Sequence, residues 1–212
     1  PDENFEGEAS IWVIARDSTG RQNGGSFVVN VTNENDKPTV SATPIDPAFT
    51  TGGEAVSLFT NAQLDAIDSG QSFTAIEFSI DGAIDGSDEA LIVDGTPFAL
   101  GAASSHAFGA GGTATVSEGE GGGSFDLTLS NLTLSRDAAE ALIESVAYRN
   151  QRADASLGDR SVYVSSVTDS GADDNQAFLF LSSTVTMNPA PTLGGTVDDV
   201  TTDEDTVTYL DL

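Results

Sequence analysis

Residues 27 to 38 read Phe-Val-Val-Asn-Val-Thr-Asn-Glu-Asn-Asp-Lys-Pro and contain the pattern that decides the fold. Phe27, Val29 and Val31 alternate with other residues, which is the period of two typical of a β-strand with one buried face. The acids and amides of Asn33-Glu34-Asn35-Asp36 follow at once. Calcium accepts carboxylate and amide oxygens in irregular geometry. The stretch therefore predicts a calcium-stiffened joint between two β domains, with an ordinary polar linker as the alternative.

The charge balance of the chain excludes one class of partner. The 212 residues include 34 acidic and 7 basic residues, which give a formal net charge of −27. Nucleic-acid binding needs clustered Lys and Arg, so it is excluded, and an anionic membrane surface is disfavoured for the same reason. So much negative charge opposes a compact state unless bound cations or salt offset it.

Cysteine is absent, so disulfides, thiol catalysis and zinc–thiolate sites are not available to this chain. No stretch approaches the roughly 20 apolar residues of a membrane-spanning helix. The chain begins with Pro rather than Met. We therefore expect it to be a piece of a longer protein.

Turn residues divide the chain into short β-rich runs, which predicts an all-β fold built around an antiparallel β-sandwich. Residues 1–38 are expected to be the closing strands of one domain, with Trp12 in its core, and 39–189 a complete sandwich. Residues 190–212 are expected to open a further domain, unless the two end pieces form one split domain. The strands predicted for the sandwich are 55–59, 73–80, 90–93, 113–116, 124–129, 160–168 and 178–186.

One short helix is predicted inside the sandwich domain. Ser135 is a favourable N-cap, and Asp137 lies in the first turn, where the helix dipole favours an acid. Apolar residues then recur with helical spacing at Ala139, Leu142, Ile143 and Val146.

Two acidic loops of the middle domain are candidate calcium sites. The first has Asp-Gly turns around Asp85, Asp88 and Glu89, and its alternative is a pair of solvated turns. The second is the loop 169–175. Its expected ligands are Asp169, Asp173, Asp174 and Asn175.

Ligand binding is a further hypothesis for the second loop. Calcium that lacks part of its preferred set of 6–8 oxygens accepts a ligand carboxylate in an open position. Arg149 and Arg152 would then help to hold the acidic end of a peptide. The alternative is that both arginines pair with nearby aspartates.

No catalytic constellation is visible in the sequence, so an enzyme is not expected. His106 is the only histidine and lies in a Ser/Ala/Gly-rich stretch. The glycine-rich segment 109–123 lacks the Lys-Ser/Thr end of a phosphate-binding loop.

The first piece resembles the closing strands of cadherin-like repeats. The matching residues are Ala15, Asp17, Gly20, Asn33, Asn35, Asp36 and Pro38. Two departures are that Asn33 replaces an acid and that Pro38 comes one residue early. The resemblance implies that Asp17, Asn35 and Asp36 bind calcium.

The middle piece resembles repeats of giant bacterial surface adhesins of the RTX type. The matching stretches are 51–59, 85–89, 93–96, 132–135, 147–150, 158–160 and 168–171. The resemblance implies a calcium-dependent extracellular adhesion module on the bacterial surface, monomeric within a long tandem chain. Such a module binds a peptide or protein terminus on a host or neighbouring cell, or else it is a passive calcium-rigidified extender.

Overall fold

The computed structural model describes residues 5–32 and 34–190, so Asn33 and the predicted opening strands after residue 190 lie outside it. The described residues form an all-β fold with one short helix, as predicted. The strands are β1 (Gly7–Arg16), β2 (Gln22–Val31), β3 (Thr39–Pro44), β4 (Ala48–Thr50), β5 (Val56–Ser57), β6 (Phe59–Asp65), β7 (Phe73–Asp81), β8 (Glu89–Val93), β9 (Thr96–Ala99), β10 (Ser104–Phe108), β11 (Gly112–Glu118), β12 (Phe125–Ser130), β13 (Ala147–Asn150), β14 (Arg160–Asp169) and β15 (Gln176–Asn188). The helix is α1 (Arg136–Glu144).

Two principal sheets make up the sandwich. A seven-stranded sheet has the order β10-β11-β12-β7-β14-β15-β4, and a four-stranded sheet has the order β5-β13-β8-β9. All pairings within them are antiparallel except that of β15 with β4, which is parallel. The strands β3 and β6 form a separate antiparallel pair.

The two principal sheets share one hydrophobic core. Phe49 on the larger sheet meets Tyr148 on the smaller one edge to face, with ring centroids 5.4 Å apart. Phe98 and Phe108 make a second contact between the sheets at 5.8 Å. Buried residues alternate with half-buried ones along the strands, as in β12, so one face of each sheet supplies this core.

The helix begins where the sequence predicts and covers a strand edge. Ser135 accepts a hydrogen bond from the Ala138 N–H at its N-cap. On the same helix, Glu144 accepts from the Ala62 N–H at 2.9 Å and Glu140 from the Leu64 N–H at 3.0 Å. These side chains satisfy backbone donors on the edge of β6 that no described strand pairs.

The predicted strand 55–59 is wrong, because the chain changes sheets within it. Val56 and Ser57 pair with β13 in the four-stranded sheet, whereas Phe59 pairs with β3. Between them, the buried Leu58 donates its N–H to the Val146 carbonyl. A run of β-prone residues is therefore divided between two strands.

The hairpin of β1 and β2 stands apart from the sandwich sheets. Its two strands pair with each other from Gly7↔Val31 to Arg16↔Gln22. Trp12 is 65% exposed, so the expectation that it lies in a core is wrong for the described residues.

The long strand β15 connects opposite ends of the sandwich. It starts directly after the loop 169–175, and its last residue, Asn188, accepts hydrogen bonds from Thr51. Thirteen residues at about 3.3 Å each span roughly 40 Å.

Candidate metal centre

Three segments that are distant in sequence meet at one end of the sandwich. They are the linker residues 34–36 after β2, the turn 66–71 between β6 and β7, and the loop 169–175 between β14 and β15. We name this meeting place the joint. It brings together two of the sites that the sequence predicts separately, namely the one at Asn35 and Asp36 and the one at residues 169–175.

The linker makes close contacts with both the turn 66–71 and the loop 169–175 of the sandwich. The Asp36 N–H donates to Asp68 Oδ2 at 2.9 Å. The Asn35 amide fills the space beside Gly171, where a β-carbon would overlap it. A β-carbon at position 171 would therefore require the Asn35 side chain to move out of its present position.

The Gln71 side chain lies between Asn35, Asp68 and Asp169. Its Nε2 contacts Asn35 Oδ1 and lies 3.4 Å from Asp68 Oδ2. With the amide rotated by 180°, its nitrogen donates to both carboxylate oxygens of Asp169 at 3.3 Å. Two amides and two carboxylates thus share a small volume.

Asp169 is the most buried acid of the joint, at 1% exposure. Burial raises the pKa of Asp169, and the nearby charge of Asp68 raises it further, although hydrogen bonds from Gly171 and Asn35 act in the opposite direction. Its Oδ1 accepts the Gly171 N–H at 2.8 Å. Among the residues that the structure describes, Asp169 has no basic partner. A cation beside it would relieve both the desolvation and the repulsion from Asp68.

The backbone before Asp68 is strained. Ile67 has a φ of 66°, a left-handed conformation that β-branched residues rarely adopt. The Ile67 N–H is held by Asp65 Oδ1 at 3.1 Å, and the next N–H, of Asp68, donates to the Ala66 carbonyl. Such strain is often found at functional sites. Here it fixes the tight turn that presents Asp68 to the linker.

Further acids line the rim of the joint. A cavity of about 500 Å³ is lined by the residues Glu34, Asn35, Gln71, Gly171, Ala172, Asp173 and Asp174. Asp174 pairs with Lys37 at 3.4 Å, and both side chains are exposed. The Asn175 side-chain amide donates to the Gly171 carbonyl, and the Asn175 backbone carbonyl accepts the Asp169 N–H at 2.9 Å, so Asn175 shapes the loop.

The donor set at the joint fits calcium better than other metals. It consists of carboxylate and amide oxygens, which are the hard ligands that calcium accepts, without the sulfur or imidazole that favour zinc. In the described part of the chain, no three His, Cys, Asp or Glu side chains converge on one point. Amide or backbone oxygens and water would therefore complete the coordination around Asp68 and Asp169.

Asp17 lies away from the joint. It is in the turn of the hairpin, at the opposite end of β2 from the linker. Its Oδ1 accepts hydrogen bonds from the Thr19 N–H, the Thr19 hydroxyl and the Arg21 N–H. The Thr19 hydroxyl bond above all lowers the pKa of Asp17. The structure therefore gives Asp17 a role in the turn and does not bring it to Asn35 and Asp36.

Asp85 and Glu89 converge on a buried arginine. The Arg160 side chain is 1% exposed; its Nε lies 2.9 Å from Glu89 Oε1, and its Nη2 lies 3.2 Å from Asp85 Oδ2. Asn150 donates to both carboxylates, at 2.8 Å and 3.2 Å. We name these four residues the ionic core. Calcium at Asp85 and Glu89 stays a prediction, and this geometry does not favour it because the guanidinium already supplies the positive charge.

The pKa values of the two acids of the ionic core are shifted in opposite directions. Burial raises the pKa of Glu89, despite the hydrogen bond and charge of Arg160. Burial alone would also raise the pKa of Asp85, but hydrogen bonds from Ser156 and Asn150, together with the charge of Arg160, hold it below its usual value. The oxygens Asp85 Oδ1, Glu89 Oε2 and Tyr148 OH are buried and receive no hydrogen bond from residues 5–32 or 34–190.

The remaining predicted site residues surround the ionic core. Asp88 lies on an exposed 3₁₀ turn between Asp85 and Glu89. The Arg152 guanidinium lies 3.0 Å from Asp154 and 3.7 Å from Asp85 Oδ1. This is the pairing with nearby aspartates that was the alternative to ligand binding. Arg149 is half-buried on β13, and its Nε has no hydrogen-bond partner in the described structure. The two arginines are therefore not presented together as an open anion site.

Asp68, Gln71 and Arg160 are the important residues that the sequence analysis missed as site residues. A signal for the first two exists in the stretch 65–71, Asp-Ala-Ile-Asp-Ser-Gly-Gln, which has the same acid–glycine character as the loop 169–175. Arg160 gives no comparable signal, because a basic residue at the start of a predicted strand does not indicate whether its side chain is buried.

Comparison with known proteins adds no relative: no family model matches the chain, and no curated protein is significantly similar to it. Within residues 5–32 and 34–190, no helix is long and apolar enough to cross a membrane.

Proposed function

We propose that this chain is a calcium-dependent extracellular module of a large bacterial surface adhesin of the RTX type, in which calcium at the joint stiffens a tandem array. The observation that carries the proposal is the meeting of Asn35 and the buried acids Asp68 and Asp169 between linker and sandwich. A cation placed there would bond to residues on both sides of the joint, and so would oppose bending between the hairpin and the sandwich.

The path of the chain supports a role as a spacer. The linker reaches the sandwich beside the start of β15, and β15 then runs roughly 40 Å to its far end. Neighbouring domains joined at these two ends would lie in line. A stack of such modules would hold a terminal binding domain away from the cell surface, as a monomer within one long chain.

Ligand binding by this module is the second candidate function. Its support is the cavity at the joint, whose rim carries Asp173 and Asp174 next to the donor set proposed for calcium. A peptide carboxylate would bind there through an open calcium position. The partner would then be a peptide or protein terminus on a host or neighbouring cell. Arg149 and Arg152, which were expected to help hold its acidic end, lie beside the ionic core at the other end of β14 from Asp169, so they are not part of this site.

Calcium is expected to stabilise the full chain. At a calcium concentration 100 times the dissociation constant, one site raises the free energy of unfolding by about 2.7 kcal/mol. Asp169→Asn keeps the side-chain shape but removes the charge, so we expect it to abolish most of that gain. Thermal unfolding in calcium, in magnesium and in EDTA at equal ionic strength measures the effect.

Glu118→Gln is the matched control, because Glu118 is an exposed acid at the end of β11, away from the joint and outside both predicted calcium loops. It should retain the calcium response of the wild type. Equal melting temperatures in calcium and EDTA would exclude a stabilising site. A loss in the Glu118 variant as large as that in the Asp169 variant would mean that the calcium response does not depend on the joint.

A further inference from the structure

An apolar groove lies where α1 meets the turn between β10 and β11. It has a volume of about 360 Å³ and is lined by the nearly buried side chains of Phe108, Leu132 and Leu142. The exposed residues Ala138 and Ala141 of α1 line it as well. Ligand pockets are typically apolar clefts of about 300–1,000 Å³ with a few polar groups that orient the ligand. This groove is at the small end of that range, so it accommodates one or two residues of a ligand and not a long segment.

Asp94 is the one charged residue among the described residues that line the groove. It opens the two-residue turn that joins β8 to β9, with a φ of 47° at Asp94 and 72° at Gly95. Positive φ at both positions is typical of a type I′ turn, which holds Asp94 in place between two paired strands. The Asp94 carboxylate has no hydrogen-bond or ion-pair partner in the described part of the chain. It is therefore available to a cation from outside.

The end of α1 beside Asp94 favours a cation too. The Asp94 N–H donates to the Ser145 hydroxyl at 2.9 Å, and this hydroxyl donates to the Leu142 carbonyl at 2.7 Å. The C-terminal end of a helix carries a partial negative charge, so a basic side chain is stabilising there. The last turn of α1 contains no basic residue. A ligand that complements this groove therefore carries a positive charge next to an apolar group.

We propose that the groove binds the N-terminal residue of a partner polypeptide when that residue has an apolar side chain. The side chain packs against Leu132 and Leu142, and the α-ammonium group lies beside Asp94. An N-terminal residue fits better than an internal lysine, because its ammonium and its apolar side chain are attached to the same Cα and so suit a small groove with one carboxylate. A second copy of this chain is a poorer occupant, since each copy carries a net charge of −27.

This site is separate from the calcium site proposed at the joint. No residue that lines the groove belongs to the joint. The group that it recognises is an ammonium, whereas the ligand considered for the joint is a carboxylate. Peptides with an amidated C-terminus therefore test the groove alone.

Titration of the isotope-labelled full chain with three such peptides, followed by NMR, tests the proposal. The peptides are Leu-Gly-Gly-amide, its N-acetyl form and Gly-Gly-Gly-amide. We expect Leu-Gly-Gly-amide to shift the backbone amide signals of Ala110, Ala138 and Ala141. Gly-Gly-Gly-amide should bind at least about tenfold more weakly, because it lacks the apolar side chain. The N-acetyl form should bind about threefold more weakly or worse, because it lacks the positive charge.

Two variants separate the apolar contact from the charge. Ala141→Leu should prevent binding, because leucine fills the groove; Ala141 is exposed and leucine is a good helix former, so the melting temperature should not change. Asp94→Asn should bind Leu-Gly-Gly-amide no better than the wild type binds the N-acetyl peptide. Asparagine also tolerates a positive φ, so the turn is retained. Glu118→Gln, at the other end of β11 from the groove, is the matched control and should leave all three affinities unchanged.

Equal affinities of the wild type for the free and the N-acetyl peptide would overturn the proposal. Wild-type affinity in Ala141→Leu, or signal shifts confined to residues outside the groove, would do the same. An equal loss in Asp94→Asn and Glu118→Gln would also overturn it, in favour of general attraction to a negative chain. Asp169→Asn should keep the wild-type affinity, so failure of the groove and failure of the proposed calcium site are distinguishable.

Discussion

Arg160→Met is expected to lower the free energy of unfolding by about 3–5 kcal/mol, because it leaves two buried acids without their cation. The Arg160 side chain is 1% exposed, and it also donates to the Gly158 and Ser156 carbonyls. Methionine replaces its apolar stem but none of these bonds. Urea or guanidinium unfolding of the full chain in calcium-containing buffer measures the loss.

The pH dependence of the stability of Arg160→Met should show whether the unpaired Glu89 carboxylate causes the loss. Without Arg160, the pKa of Glu89 in the folded state rises further above its unfolded value. An acid with a raised folded pKa loses stability as pH rises through that pKa, so the deficit of the variant should shrink as pH is lowered. A deficit that is independent of pH would contradict this explanation.

Arg136→Met provides the comparison at an exposed site. Arg136 pairs with Asp65, and both side chains are about half exposed. Exposed ion pairs contribute less than about 1 kcal/mol. A similar loss in both variants would mean that burial of Arg160 does not determine its effect.

Gly101→Ala is expected to be the second most damaging substitution, with a loss of about 2–4 kcal/mol. Gly101 has a φ of 109°, and a β-carbon there would lie 2.6 Å from the Gly86 carbonyl carbon and the Ser87 nitrogen. The segment after β9 thus packs closely on the turn between Asp85 and Glu89, and a β-carbon at position 101 would push the two apart. Denaturant unfolding again measures the loss.

Gly121→Ala separates the effect of the positive φ from the effect of the close approach to neighbouring backbone. Gly121 has a similar φ of 103°, but nothing lies within 4 Å of a β-carbon built there. Its variant should therefore show the backbone strain alone and lose less stability than Gly101→Ala. Equal losses would show that the close approach at Gly101 adds nothing.

Local patterns were sufficient to predict much of the fold. The helix begins after Ser135 because its N-cap and apolar spacing are properties of adjacent residues. Long alternating strands such as β7 and β14 could equally be predicted from their own residues. The change of sheets at Leu58 was not, because it depends on pairing with β3 and β13 rather than on the five residues themselves.

The candidate metal centre was predictable only in parts. Asn35 and Asp169 each stand in an acidic or amide-rich stretch, so both were recognised as candidates. Their proximity was not predictable, since well over a hundred residues separate them and only the path of β14 brings them together. The ionic core was missed as such because a buried arginine has the same local sequence as a solvated one.

The parallel pairing of β4 with β15 has a mechanical consequence. β4 follows the linker closely in the chain, whereas β15 leads to the far end of the sandwich. If the module stands in a tandem array as proposed, tension along the array would pull these two strands lengthwise in opposite directions. Their hydrogen bonds would then share the load together instead of opening one after another, so this short ladder acts as a shear clamp against stretching.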